Sequence, residues 1–222
     1  KLKMNNIALI SAIEKLNLSL SENQYNQINQ YLQLLTQWNH VYNLTKITHM
    51  DKMISHHIID SLSVIRYIQA NNILDVGSGA GLPGIPLAIY FPTKNFSLLD
   101  SNQKKTRFLQ QVKATLKLDN VEVFHQRLDQ LKSENCYDIV ISRAFGSFDD
   151  MLPSIKLLCD NGGKIFSMKG QYDTIMQETV PKQLKVDEII ELETSTTNMN
   201  RHLVILSPDF ILESEGSNSG NR

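Results

Sequence analysis

The residues with the most chemistry in them run from Asp75 to Gly84: Asp75-Val76-Gly77-Ser78-Gly79-Ala80-Gly81-Leu82-Pro83-Gly84. An apolar run, Asn72-Ile73-Leu74, leads into this glycine-dense loop, and Ile85-Pro86-Leu87-Ala88-Ile89 reads as a helix start behind it. Strand, tight turn and helix N-terminus in that order suit a nucleotide-like cofactor. Glycine permits the turn and a close approach of the ligand to the main chain. The helix start offers N–H groups and partial positive charge. The dinucleotide fingerprint G-x-G-x-x-G is not met, because Leu82 stands where its third glycine belongs. Asp75, two residues ahead of Gly77, would repel a pyrophosphate. It suits S-adenosylmethionine, whose α-ammonium and sulfonium are both cationic. Capping of the loop is the alternative role for Asp75. The cofactor contacts expected in the loop are thus Asp75, Gly77 and Gly79.

Two further acids follow at comparable points. Asp100 closes Ser97-Leu98-Leu99-Asp100, where a carboxylate can bond ribose hydroxyls of either NAD or S-adenosylmethionine. Leu128-Asp129 follows the third strand-like run and offers an apolar face and an acid for adenine. Alone, Asp129 reads as a surface acid. Together, the three acids end three successive strands, at the carboxyl edge where such sheets bind ligands.

The elements that must position these groups follow from periodicity. Up to residue 70 the chain reads helical. Ile7, Leu9, Ile10, Ile13 and Leu16 share one helix face, and Ser21 with Gln24 forms a capping-box pattern. Tyr25, Ile28, Tyr31, Leu32, Leu35 and Trp38 recur at helical spacing, as packing residues rather than a base-stacking platform. A third helix is expected from about Asp51 to Ile68. Beyond residue 71, strand-like runs are Asn72–Val76, Asn95–Asp100, Val121–His125, Tyr137–Ser142, Gly163–Met168, Val186–Glu193 and His202–Leu206. Helical patterns at Ile85–Phe91, Thr106–Leu116, Met151–Cys159 and Tyr172–Val180 separate most of them. This alternation predicts an α/β fold with a mainly parallel sheet and helices on both faces. The last two runs should form an antiparallel hairpin at its edge. The expected organisation is a helical extension over 1–70, a core over 71–208 and a disordered tail over 209–222, where Ser, Gly and Asn are frequent.

Composition narrows the class. With 222 residues, 41% hydrophobic and 20% charged, the chain can bury an ordinary core. No apolar run approaches the ~18 residues of a membrane span, and no secretory pattern opens the chain. Cys136 and Cys159 lack metal-ligand spacing, so no metal is expected; two thiols suit a reducing cytoplasm. A formal net charge of −1 means that any nucleic acid must meet a local patch. Gln103 to Lys117 supplies one, with Lys104, Lys105, Arg107, Lys113 and Lys117 and no acid; a solvated helix face is the equal alternative.

Several segments resemble the bacterial 16S rRNA guanine-N7 methyltransferases, long called glucose-inhibited division protein B. They include Asn43-Leu44-Thr45, His57-Ile58-Ile59-Asp60-Ser61, Asp75 to Pro86, Lys105-Thr106-Arg107-Phe108-Leu109, Ser142-Arg143-Ala144-Phe145, Lys169-Gly170 and Arg201-His202-Leu203-Val204. The resemblance spans about Leu20 to Ser207. It implies a Rossmann-like class I S-adenosylmethionine-dependent methyltransferase core behind an N-terminal helical extension. It also implies a guanine of small-subunit rRNA as acceptor. The cofactor set it implies is Gly77, Leu82, Asp100, Leu128, Asp129 and Arg143. Relatives often carry Ala-Glu at the Leu128-Asp129 position, so the acid here is shorter.

Guanine N7 offers a lone pair with no proton to remove, so its methylation needs alignment rather than a base. The sequence has no Asn/Asp-Pro-Pro-aromatic segment after the fourth strand, and neither cysteine is placed as a nucleophile. Arg143 is the expected catalytic residue, bridging cofactor and guanine or a phosphate; a salt bridge to Asp75 or Asp100 is the alternative. Lys169, Arg201 and His202, with Lys104, Lys105 and Arg107, are the expected RNA contacts. Phe145 either stacks on guanine or packs in the core. His57 is expected to pack or to bond Asp60. The expected partner is 16S rRNA or the small ribosomal subunit, met by a monomer in the cytoplasm. An NAD-dependent oxidoreductase and a non-catalytic ribosome-assembly factor are the competing readings.

Overall fold

A computed structural model describes residues 2–132, 136–143, 145–194 and 200–209. The expected tail lies, but for Asp209, outside the described residues.

Helices α1 (Leu2–Lys15) and α2 (Glu22–Tyr42) open the chain. The capping box at α2 is reciprocal: Gln24 N–H donates to Ser21 Oγ at 3.3 Å, and Ser21 N–H to Gln24 Oε1 at 2.8 Å. Gln24 Nε2 also donates to the carbonyls of Ile89 and Tyr90, fastening α2 to the helix after the glycine loop. The third expected helix is irregular. It runs as α3 (Met50–Met53), a π-helical turn (Ile54–Ile59), α4 (Asp60–Leu62) and a 3-10 turn (Ile65–Tyr67). The widened turn carries His56 and His57 and precedes Asp60, all of which bond outside their own helix.

Strands β1 (Asn72–Val76), β2 (Asn95–Asp100), β3 (Val121–His125), β4 (Ile139–Arg143) and β5 (Lys164–Lys169) are mutually parallel. Helices α5 (Gly84–Tyr90), α6 (Gln103–Leu116) and α7 (Tyr172–Gln177) connect them or follow them. Between β4 and β5 the expected helix is a 3-10 segment, Asp149–Leu157, with Pro153 inside it; a proline ring clashes with the carbonyl four residues back in a regular α-helix. The sheet order is β3-β2-β1-β4-β5-β7-β6. Strands β6 (Leu184–Glu191) and β7 (His202–Pro208) pair antiparallel as expected, with β7 inserted beside β5 and β6 at the edge. From β1 the chain steps outward to β2 and β3, then returns to β4 on β1's other side. This reversal opens a crevice over the carboxyl ends of β1 and β4.

One apolar cluster joins Leu9, Tyr31, Leu35 and Ile58 of the helical region to Ile73, Leu98 and Phe108 of the sheet layer. The change of pattern near residue 70 is therefore not a break in the core. A second cluster, with Leu74, Val76, Val140, Phe148 and Val204, fills the opposite face.

The cysteines depart from expectation. Cys136 and Cys159 are joined in a disulfide, with Cα atoms 4.8 Å apart across 23 residues of sequence. The Tyr137–Leu158 bridge brings the two segments side by side, a proximity that their spacing in sequence did not reveal.

Candidate active site

The glycine loop is bonded almost wholly to itself and to the neighbouring strand. Gly77 and Ser78 N–H donate to Leu99 O, and Gly81 and Leu82 N–H to Ser78 O. Gly79 N–H donates to Asp100 Oδ2 at 2.9 Å, and Gly84 N–H to Asp75 Oδ2 at 2.9 Å. Ile85 N–H returns to Gly81 O. Gly77, Gly79 and Gly81 take positive φ values of 68°, 59° and 89°, where an L side chain is strained. These amides are turned inward, so the loop does not present the row of donors that a pyrophosphate requires. Tyr31 of α2, wholly buried, donates its hydroxyl to Ala80 O at 2.7 Å and ties the helical region to the loop.

Two cavities meet at this loop and share Gly77 and Lys105. The first, about 480 Å³, is walled by Leu99, Asp100, Arg127, Leu128, Asp129 and Phe145. The second, about 440 Å³, is walled by Thr45, His57, Leu82, Arg143, Lys169 and Arg201. Phe145 stands between them: a Cβ on Gly77 would run into its ring. Asp100 is buried, takes Asn102 N–H on Oδ1 at 2.8 Å, and lies 3.5 Å from Lys105 Nζ.

The second cavity is organised by Asp60. This fully buried carboxylate accepts from Arg143 Nη1 at 2.9 Å through Oδ2. Its Oδ1 lies 3.0 Å from Arg201 Nε, at ion-pair distance but without the alignment of a hydrogen bond. Arg143 Nη1 also donates to His56 O at 2.9 Å. His57, buried, shares a 2.9 Å hydrogen bond between its Nε2 and Thr45 Oγ1. Burial, with the Arg143 charge in support, lowers its pKa to about 4, so the ring is neutral at pH 7. Asp75 moves the other way: burial lifts its carboxyl to about 7, against the bond from Gly84 N–H. Lys169 Nζ is held by Gly146 O at 3.0 Å and by Glu178, and stands over the Phe148 ring. Among the described residues, no group of three or more His, Cys, Asp or Glu is placed to hold a metal ion, and no helix is long and apolar enough to cross a membrane.

Residues 24–204 match the GidB family, rRNA small subunit methyltransferase G. The chain belongs to this family. A relative named ribosomal RNA small subunit methyltransferase G from Pseudomonas syringae pv. tomato is 43% identical over 89% of this chain and 94% of its own length. Relatives of the same name from Hydrogenovibrio crunogenus and Escherichia fergusonii are 44% and 40% identical over 88% and 91% of this chain, covering 91% and 98% of theirs. Among solved structures, the tRNA (m1A58) methyltransferase TrmI from Aquifex aeolicus matches with a TM-score of 0.54 at 13% identity, over 68% of each chain. The mitomycin 7-O-methyltransferase MmcR matches with a TM-score of 0.56 at 11% identity, over 85% of this chain and 67% of its own. At those identities the likeness concerns the fold, a Rossmann-like class I methyltransferase core.

Within this family member, the sequence-predicted residues divide by position. Gly77, Asp100, Leu128 and Asp129 line the first cavity, and Gly77, Gly79, Leu82 and Arg143 the second. Asp75 lines neither. It lies wholly under the loop and holds Gly84 N–H, which is the loop-capping role. Arg143 pairs with Asp60, and not with Asp75 or Asp100. His57 bonds Thr45 and not Asp60. Lys105 and Arg201 reach the second cavity. His202 is buried, with Nδ1 2.7 Å from Gly170 O, while Lys169 lines the second cavity and is paired with Glu178. Lys104 stands over the Tyr42 ring, while Arg107 lines a separate hollow on the outer face of α6. Phe145 packs against the second apolar cluster and Gly77. Sequence reasoning did not assign Asp60 or Thr45 a place in the site. Asp60 had one visible signal, an acid set among Ile58, Ile59 and Leu62 in an otherwise apolar stretch.

Proposed function

We propose that this chain transfers a methyl group from S-adenosyl-L-methionine to N7 of a guanine in 16S ribosomal RNA of the small subunit, in the cytoplasm. The observation that carries the cofactor half is the glycine loop with its amides bonded inward. Such a loop suits a ligand without phosphate and disfavours NAD. When bound, the cofactor supplies an electrophilic methyl group on a sulfonium. Gly77, Gly79 and Leu82 would border its methionine portion. Asp100 would meet the ribose, with Leu128 and Asp129 at the adenine. Arg143 would touch both cofactor and acceptor as the catalytic residue.

The acceptor half rests on the family and on the second cavity. Attack by a ring nitrogen lone pair leaves no proton to collect, and the chain offers a neutral, hydrogen-bonded His57 there rather than a poised base. What the chain must do is hold the base in line and keep water away. Arg143, fixed by Asp60 and His56 O, is rigid enough for that alignment.

The test is labelled methyl transfer from S-adenosylmethionine to unmodified 16S rRNA and to undermethylated small subunits, with the modified base mapped. Label at a guanine N7 that disappears with Arg143→Ala is the expected result. Unchanged methylation by that variant would remove Arg143 from its role. Absence of transfer, with S-adenosylhomocysteine still bound, would point to a non-catalytic assembly factor.

A further inference from the structure

The two cavity arginines share one acid, and that imbalance has a chemical consequence. Four cations wall the second cavity: Lys105, Arg143, Lys169 and Arg201. Among the described residues, three acids lie at ion-pair distance from them. Asp100 lies beside Lys105, Glu178 beside Lys169, and Asp60 stands between Arg143 and Arg201. In the Asp60 group two guanidinium charges thus meet one carboxylate. Asp60 is fully buried, whereas the Arg201 side chain retains 30% of its exposure and the Arg143 side chain 17%. A carboxylate taken wholly out of water is stable only when paired and hydrogen-bonded. A purely structural pair would need one arginine, not two, one ending β4 and one just ahead of β7, that enter from separate parts of the chain.

We infer that Asp60 is a positioning residue that holds Arg143 and Arg201 side by side, so that their surplus charge receives one phosphodiester of the acceptor RNA strand next to the reacting base. Resting on the methyltransferase reading above, this inference assigns a socket within that site. The geometry divides the labour. Asp60 takes Arg143 through Oδ2 and Nη1 and meets Arg201 at Nε, which leaves each guanidinium with further N–H donors for a phosphate oxygen. A backbone phosphate gives position rather than sequence choice, which is what a base held for in-line attack requires.

The test measures binding of an unmodified 16S rRNA transcript to the full chain across a salt series, for the wild type, Arg201→Gln, Asp60→Asn and the double variant. S-adenosylhomocysteine calorimetry runs in parallel on each. Arg201→Gln leaves Asp60 and Arg143 as a matched pair, so it is the variant most secure in folding. It should weaken RNA binding about tenfold and lower the slope of log affinity against log salt by about one, the signature of one lost phosphate. Its effect should fall on RNA and not on S-adenosylhomocysteine. Asp60→Asn should weaken RNA binding as well, and the double variant should be no worse than the poorer single one, because the two act through one contact. A salt slope unchanged in Arg201→Gln, or losses that simply add, would overturn the inference. Because binding is read directly, a wild type that binds RNA but transfers no methyl would refute the methyltransferase reading and leave the socket standing or falling on its own slopes.

Discussion

Replacing Asp75 by Asn separates a loop-capping carboxyl from one that meets the cofactor. Asp75 is wholly buried, with Gly84 N–H on Oδ2 and no partner on Oδ1. Burial lifts its pKa from 3.8 to about 7. The folded state therefore keeps a proton that the unfolded chain has already released. This carboxyl's contribution to stability falls as pH rises from about 4 to about 7, and is flat above that. At about 1.4 kcal/mol per tenfold in proton affinity, the full penalty is about 4 kcal/mol, of which about 3 kcal/mol develops between pH 5 and pH 8. Asn cannot ionise, and its carbonyl can still accept from Gly84. Its amide finds no partner at the Oδ1 position, at a fixed penalty of about 1–3 kcal/mol that does not vary with pH. The melting temperature of Asp75→Asn relative to wild type should therefore climb by roughly 5–10 °C between pH 5 and pH 8, whatever its starting offset. Differential scanning fluorimetry at four pH values reads this, with S-adenosylhomocysteine calorimetry beside it. A difference that stays flat with pH would refute the burial argument. Lost cofactor affinity at unchanged melting temperature would return Asp75 to a direct cofactor contact.

Other outcomes follow from the same geometry. Gly77→Ala places a methyl group in the Phe145 ring at a φ of 68°, and S-adenosylhomocysteine affinity should fall at least about tenfold by calorimetry. Tyr31→Phe strips the hydroxyl from Ala80 O, which should lower stability by about 1–3 kcal/mol in urea unfolding and weaken cofactor binding through the loop. His57, lowered to about 4, is neutral in the folded state where the unfolded ring charges below 6.5. Its contribution thus grows as pH rises from about 4 to about 6.5, by up to about 3 kcal/mol, and His57→Gln should remove that slope from the acid-denaturation profile. Opening the Cys136–Cys159 disulfide releases a loop of 23 residues, at a loss of about 3 kcal/mol. It lies at the end of the sheet where β4 and β5 begin, away from the cavities, so reductant should lower the melting temperature and leave the rate of methyl transfer unaltered.

Much of this architecture is written locally. The strands, the capping box at Ser21 and the glycine turn need only nearby residues, because short apolar runs, a side-chain cap and positive φ are short-range properties. Asp100 and the Leu128-Asp129 pair were legible from position: Asp100 ends β2, the pair follows β3 by a few residues, and strand ends share one edge of a parallel sheet. Irregular pieces were not. The π turn at Ile54–Ile59 answers to partners from distant strands, and a helical period cannot show such partners.

The sequence by itself determined that a glycine loop, three strand-end acids and a basic helix belong to one α/β chain. Only the tertiary structure decided which charges meet. Asp60, 83 positions from Arg143 and 141 from Arg201, becomes their common counter-ion. Asp75, beside the loop in sequence, is sealed beneath it, His202 turns inward, and Lys169 pairs with Glu178. Charge pairing in a buried site depends on distance through space and on loss of water, and neither is encoded in the spacing of residues along the chain.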